Sequence, residues 1–129
     1  MSSRPATLDR RRSLYEEAAE IIAQEYDREL ELEDVARRIA TSRRQLQRAF
    51  SEAGGTSFRS HLAAVRMGRA LELLETGAVP VREVAQTVGY RQPAQFAKAF
   101  RRHHGASPSA FRRLNGTGGA RRAPQPVAA

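Results

Sequence analysis

The chain has 129 residues, 40% of them hydrophobic, and carries 22 basic against 14 acidic side chains, for a formal net charge of +8. This length fits one ordinary domain or two very small ones. The absence of cysteine excludes disulfides, thiolate zinc ligands and a cysteine nucleophile. No apolar run approaches the ~18 residues of a membrane span, and residues 1–12 lack the apolar stretch of a secretory signal. We therefore expect a cytoplasmic protein with no membrane partner.

The charges are distributed unevenly along the chain. Residues 1–34 carry five basic and ten acidic side chains, whereas residues 35–129 carry 17 basic and four acidic ones. The sequence pI is about 11.3. A long basic region is repelled by its own charge unless phosphates neutralise it, so the pattern favours a nucleic-acid partner. On charge alone, a merely solvated basic surface stays open as the alternative.

Hydrophobic periodicity predicts helices and no strands. After a flexible N-terminus, residues 1–7, the first helix covers about residues 8–26. A short helix follows near Glu33 and Asp34, whose negative charges suit a helix N-terminus, and ends at Thr41-Ser42. Ser42 is a suitable N-cap for the next helix, residues 43–53, which Gly54-Gly55 ends.

The second part of the chain is also predicted to be helical. A long helix covers about residues 57–76, and Pro80 prevents its continuation. A short helix, residues 81–88, leads through a glycine turn into a helix that begins at Pro93 and ends at Gly105. A last short helix starts at Ser107-Pro108, and residues 115–129 have the composition of a disordered tail.

The two halves repeat one plan. Val35-Ala36 precede Val84-Ala85 by 49 residues, and Phe50 precedes Phe100 by 50, so the second turn holds one extra residue. Each copy is a short helix, a tight turn and a longer helix with a polar outer face, which is the helix-turn-helix plan.

Copies of about 20 residues bury little surface alone. We therefore expect the long helix to join them and the first helix to cover the first copy. The prediction is an all-α fold of about seven helices with the following parts: a first helix-turn-helix subdomain, residues 8–56; a linker helix, residues 57–77; and a second subdomain, residues 78–114.

The longer helix of each copy presents the candidate ligand contacts. If Leu46 points inward, a rotation of about 100° per residue turns the following side chains outward: Arg44, Gln47, Arg48 and Ser51. Arg pairs bidentately with guanine and Gln with adenine in the major groove, whereas an arginine in the first turn, Arg43, is placed for a phosphate. The alternative is a solvated polar face of no specific function.

The second copy offers fewer polar side chains, because Ala94 and Ala97 can contact only a thymine methyl group. We therefore expect the first copy to specify the sequence and the second mostly to position the protein. From the residues, the predicted base contacts are Arg44, Gln47 and Arg48 of the first copy. In the second copy Lys98 is placed either for a base or for a phosphate, and Gln92 and Gln95 flank it. The predicted phosphate contacts are Ser42, Arg43, Ser51, Arg91 and Arg101.

No constellation for catalysis or metal binding emerges from the sequence. His103 and His104 are adjacent on a helix and point about 100° apart, so they do not chelate one ion together. His61 is isolated and is expected to pack against the first copy. With no nucleophile–base pair, carboxylate pair or phosphate-cradling glycine loop, we predict neither an enzyme nor a cofactor.

These residues resemble the DNA-binding domain of the AraC/XylS family of bacterial transcription regulators over roughly residues 8–114. In the second half the resemblance rests on Gly89-Tyr90, Phe96, Phe100, Arg101-Arg102, Gly105, Ser107-Pro108 and Phe111-Arg112. In the first half it rests on Ala36, Ser42, Leu46, Arg48, Phe50, Gly55, Phe58, Leu62, Arg66, Ala70 and Leu73-Leu74. The resemblance implies two helix-turn-helix units that bind promoter DNA in two successive major grooves, usually to activate transcription. It also implies base contacts from the positions that are occupied here by Arg44, Gln47 and Arg48 in the first unit and by Gln92, Ala94, Gln95 and Lys98 in the second.

The resemblance also implies a bacterial, nucleoid-associated protein. With about 34 residues ahead of the first copy, the chain is similar to the small stand-alone members or is a piece of a longer protein. Because the repeat already supplies two recognition helices, we expect a monomer on an asymmetric site.

Two other functions stay open. One is a sequence-tolerant architectural protein that bends DNA. The other is an adaptor whose acidic residues 16–34 contact RNA polymerase, at the C-terminal domain of its alpha subunit or at a sigma factor.

Overall fold

The computed structural model describes the backbone of residues 3–118 and the side chains of residues 6–114. The described residues form seven α-helices and no strand, which confirms the predicted fold class. The helices are α1 (Ser3–Glu25), α2 (Leu32–Arg38), α3 (Arg43–Gly54), α4 (Phe58–Thr76), α5 (Val81–Thr87), α6 (Pro93–His104) and α7 (Pro108–Gly118).

The two ends of the helical region extend beyond the predicted ones. The first helix begins at Ser3 rather than near residue 8. Pro5 does not prevent this, because the first four backbone N–H groups of a helix have no partner within it. The last helix reaches Gly118, past the expected end at residue 114. The rest of the expected tail, residues 119–129, lies outside the described residues.

The chain divides into two compact units between Val65 and Arg66. We call the part before this division unit 1 and the part after it unit 2. Unit 1 contains α1, α2, α3 and the first residues of α4, and unit 2 contains the remainder of α4 with α5, α6 and α7. The predicted subdomain bounds, with a separate linker helix, stay a prediction.

The core of unit 1 is centred on Phe50, whose side chain is fully buried. Three aromatic side chains meet its ring at steep angles: Tyr15 at 5.3 Å, Phe58 at 5.7 Å and His61 at 5.7 Å between ring centroids. Edge-to-face pairs of this kind contribute about 0.5–1.5 kcal/mol each beyond the apolar area they bury. The buried aliphatic residues around them are Leu14, Ala18, Ile22, Val35, Ala36, Leu46, Ala49 and Leu62.

Unit 2 repeats this arrangement around Phe100. Its ring lies 5.8 Å from that of Phe96, 5.9 Å from that of Phe111 and 4.5 Å from that of His104. The Nε2 atom of His104 also lies 3.1 Å from the carbonyl oxygen of Met67, so this nitrogen donates its hydrogen and links the end of α6 to α4. The other buried residues of this core are Ala70, Leu74, Val84, Ala85, Val88 and Pro108.

The turns confirm the repeat in local geometry. Gly55 and Gly105 follow the recognition-type helices with φ of 64° and 82°, left-handed values that suit a residue without a Cβ. Two residues later in each copy a serine accepts a hydrogen bond at the start of the next helix. The Oγ of Ser57 accepts from the N–H of Ser60 at 3.0 Å, and that of Ser107 from the N–H of Ala110 at 3.1 Å.

Gly54 marks the close approach of α3 to α1. A Cβ atom at this position would lie within 3.0 Å of three atoms of the Tyr15 ring, which its contacts with Phe50 and His61 hold in place. We expect Gly54→Ala to lower the free energy of unfolding by about 1–3 kcal/mol through overpacking. The matched control is Gly68→Ala in α4, where a Cβ meets nothing within 4 Å. It should raise stability by about 0.5–1 kcal/mol. Urea denaturation of both variants checks the opposite signs.

His61 gives unit 1 a pH dependence, because burial lowers the pKa of its imidazole. The unfolded chain therefore binds a proton more readily than the folded one as the pH falls below about 6.5. Stability should be fully retained at about pH 7.5 and decline towards pH 5.

The His61→Phe variant should lack the loss of stability that protonation of His61 causes. The other titrating groups are the same in both proteins, so their contributions cancel in the comparison. The measurement is the difference in unfolding free energy between the variant and the native chain at each pH. An unchanged difference across this range would contradict the assignment.

Candidate nucleic-acid interface

Packing fixes which face of α3 is available to a ligand. Leu46, Ala49 and Phe50 are fully buried, so the opposite side of this helix faces solvent. All predicted contacts on and beside this helix are exposed: Ser42, Arg43, Arg44, Gln47, Arg48 and Ser51. The structure thus brings the six predicted residues of the first copy to one accessible surface, which we call the α3 face.

The N-terminus of α3 is held by its own cap. Ser42 is in an extended conformation, and its Oγ accepts a hydrogen bond from the N–H of Gln45 at 3.1 Å, as predicted for an N-cap. The hydroxyl hydrogen of Ser42 remains able to donate. Arg43 and Arg44 follow directly, in the first turn.

A groove runs along one flank of α3. Arg43, Gln47 and Ser51, spaced by four residues, line it from the helix. From the other parts of unit 1 it is lined by Leu30, Glu31, Leu32, Glu33, Thr56, Ser57, Phe58, Arg59 and Leu62. Arg59 is not among the contacts predicted from the sequence, because it lies outside the recognition-type helix. The only signal for it in the sequence is its place in the repeat.

The arginines on and beside α3 differ in their partners from those of α2. On α1, α2 and their connection, Arg38 makes two hydrogen bonds with Glu25, at 2.8 and 2.7 Å, and Arg37 pairs with Asp34. The hydrogen bonds and charge of Arg38 hold the pKa of Glu25 below its ordinary value. On the α3 face and the groove beside it, the arginines make no ion pair with any described carboxylate: Arg43, Arg44, Arg48 and Arg59.

An ion pair between α1 and α3 keeps the nearest carboxylate on α3 away from Arg48. Glu52 lies one turn further along α3, at the spacing where an ion pair with Arg48 would form. Instead, Glu52 pairs with Arg11 of α1. The charge of Glu52 is thus neutralised by Arg11, and the guanidinium of Arg48 stays available to an external anion or base.

The corresponding face of α6 has alanines where the α3 face has Arg44 and Gln47. Phe96 and Phe100 are buried, and the predicted contacts of the second copy are all exposed: Arg91, Gln92, Gln95, Lys98 and Arg101. Ala94 is exposed and Ala97 half-buried, so the centre of this face has no polar side chain. Pro93 is the first residue of α6, and Gln92 makes no capping bond through its side chain.

The turn before α6 is one residue longer than the turn before α3. The ring of Tyr90 packs 5.7 Å from that of Phe96, and the guanidinium of Arg66 lies 5.4 Å from the centre of the Tyr90 ring. These contacts fix the turn on the body of unit 2. Arg91 follows Tyr90 and is exposed at the start of the α6 face.

Other kinds of site find little support among residues 6–114. No group of three metal-ligating side chains occurs there. The rings of His103 and His104 are 6.4 Å apart, and the second is committed to the Met67 carbonyl. None of the described helices has the length and apolar character needed to cross a membrane.

Comparison with known proteins identifies the family. A family model described as a helix-turn-helix domain matches residues 35–114. The Msm operon regulatory protein of Streptococcus mutans is 33% identical over 93 residues, which are 72% of this chain and 34% of that protein. The urease operon transcriptional activator of Escherichia coli is 35% identical over 92 residues, which are 71% of this chain and 31% of that protein. The chain thus spans about a third of the length of these relatives.

Solved structures agree with this match. The DNA-binding domain of AdpA, in complex with a target DNA, is 31% identical with a TM-score of 0.75, covering 80% of this chain and 93% of that one. A Rhodopseudomonas palustris protein described as a probable AraC family transcriptional regulator is 26% identical with a TM-score of 0.72, covering 80% of this chain and 97% of that one. The predicted resemblance is therefore confirmed, and the chain belongs to the AraC-type helix-turn-helix family of DNA-binding transcription regulators, not to a family of enzymes.

Proposed function

We propose that this chain is a sequence-specific regulator that binds promoter DNA as a monomer, with α3 and α6 in two successive major grooves, and activates transcription. The observation that carries the proposal is the α3 face, where Arg44, Gln47 and Arg48 are exposed and the two arginines have no described carboxylate partner. The name of the urease operon relative, an activator, supports the direction of regulation. The AdpA complex with its target DNA supports duplex DNA as the partner.

The two units are proposed to have different tasks. Arg and Gln side chains on the α3 face have the donors and acceptors that distinguish base pairs in the major groove. On α6, Gln92, Gln95 and Lys98 flank two alanines, so fewer hydrogen bonds to bases are available. Arg91 and Arg101 are placed at the ends of that face for phosphates, which fix register without selecting sequence.

A second function, contact with RNA polymerase, is favoured by the acidic surface of unit 1. Glu16, Glu17, Glu29 and Glu31 on and after α1 are exposed. A basic surface on the alpha C-terminal domain or on a sigma factor would complement them. Neutralising this surface should abolish activation and spare DNA binding if it is an activation contact.

Selection of bound sequences from a random DNA pool, followed by footprinting, tests the main proposal. A sequence-specific regulator should prefer its site over random DNA by about 10³-fold or more. A ratio near one would leave an architectural, sequence-tolerant binder. Two chains on one minimal site, in sedimentation, would contradict binding as a monomer.

We expect binding to depend strongly on salt. If about six phosphates are neutralised, the logarithm of the affinity should fall against the logarithm of salt concentration with a slope near −5. Titrations of the selected site at several salt concentrations measure this slope. A slope shallower than about −2 would mean that the basic surface serves another ligand.

Substitutions should separate the tasks of the two units. Arg44→Ala or Arg48→Ala is expected to cost about 1–3 kcal/mol on the preferred site and to blur preference at one or two base pairs. Lys98→Ala and Arg101→Ala should weaken binding to all sequences alike and reduce the salt slope by about one each. Circular dichroism first establishes that every variant folds. The assignment is reversed if Lys98→Ala changes the selected sequence while the α3 variants do not.

A further inference from the structure

The two units carry the same pair of side chains in exchanged positions. Unit 1 has Ser51 on α3 and Arg59 in the first turn of α4. Exactly one repeat further along, at an offset of 50 residues, unit 2 has Arg101 on α6 and Ser109 in the first turn of α7. All four side chains are exposed. Each unit therefore presents one guanidinium and one serine at this pair of positions, in opposite order.

The local backbone makes these positions equivalent. In both units the recognition-type helix ends at a left-handed glycine, and the next helix begins after a serine whose Oγ accepts an N–H three residues ahead. The lengths of α3 and α6 are the same, 12 residues. Arg59 and Ser109 thus occupy corresponding places, each in the first turn of the helix that follows the left-handed glycine.

In unit 1 the two positions open onto one surface. Ser51 and Arg59 both line the groove beside α3, together with Arg43. Glu31 and Glu33 line it as well, and neither forms an ion pair with Arg59. An anion that enters this groove meets two carboxylates, so it needs the positive charge of both arginines to bind there.

We propose that Arg59 binds a DNA phosphate beside α3 and does for unit 1 what Arg101 does for unit 2. The inference rests on the proposed function, because it requires α3 to lie against a duplex. In the proposed complex, a guanidinium contacts the same DNA strand either from the end of the recognition helix or from the start of the helix that follows. The arginine side chain is long enough to span the distance between these two positions, and the serine at the other position is too small to obstruct it. Arg59 positions the protein and selects no base.

The exchange itself supplies the experiment. Arg59→Ser should weaken binding to the selected site and to random duplex DNA alike, by roughly threefold to tenfold, and reduce the salt slope by about one. Adding Ser51→Arg to this variant, which copies the arrangement of unit 2, should restore the slope. The mirror pair, Arg101→Ser with and without Ser109→Arg, should behave in the same way.

The matched control is Arg37→Ser, which removes an exposed arginine of the same unit that pairs with Asp34 on α2. It should leave the salt slope unchanged, so that the loss of one positive charge in general is separated from the loss of a phosphate contact. Thermal unfolding of each variant shows whether a change in affinity comes from a change in folding.

The outcomes distinguish this inference from the function on which it rests. If the native chain shows neither salt-dependent binding nor a preferred site, the proposed function fails. If the native chain binds its site and Arg44→Ala blurs the preference, but Arg59→Ser leaves the slope unchanged, only the role of Arg59 is overturned. It is also overturned if Ser51→Arg fails to restore the slope, or if Arg59→Ser lowers thermal stability without changing the slope.

Discussion

The burial of one aromatic ring in each unit is the constraint on which the rest of the structure depends. Phe50 anchors α3 and Phe100 anchors α6, each within a cage of further aromatic side chains. A unit of this size has little apolar surface to bury, so a few large rings must provide much of its stability. Once those rings are fixed, helical geometry decides which side chains point outward. The exposed α3 face, on which the proposed DNA contacts lie, is thus a consequence of the core, and a core substitution would imitate the loss of a proposed contact.

The acidic and basic side chains of unit 1 lie on different parts of its surface. The acidic side chains of unit 1 concentrate on α1, α2 and their connection, where they engage Arg37 and Arg38. Glu52, the one carboxylate on α3, is engaged by Arg11 from α1. Without that pair Glu52 would lie at the spacing for an ion pair with Arg48, one of the proposed base contacts. Exposed ion pairs contribute little to stability. The main effect of the pair between Arg11 and Glu52 is therefore to leave Arg48 without a carboxylate partner.

Local chemistry explains what could be predicted from the sequence. The start of α3 at Ser42 and the ends of α3 and α6 at glycines depend on neighbouring residues alone, and the sequence places them within a residue of their observed positions. The exposure of every candidate contact on α3 follows from helical periodicity. Contacts between distant parts of the chain were not predictable in this way. The pairing of Arg11 with Glu52 joins residues 41 positions apart, and Arg59 reaches the groove only because α4 begins beside α3.

The two copies also begin their recognition helices by different means, and this difference bears on which side chains remain for DNA. In unit 1 the hydroxyl oxygen of Ser42 accepts from the N–H of Gln45, so Ser42 retains one hydrogen to donate to the proposed phosphate. In unit 2 Pro93 sets the first helical dihedral itself, and the side chain of Gln92 makes no capping bond. Gln92 therefore keeps its full amide for an outside partner. In the proposed complex, unit 2 thus has an amide for a base in the turn before α6, although the centre of its helix is alanine.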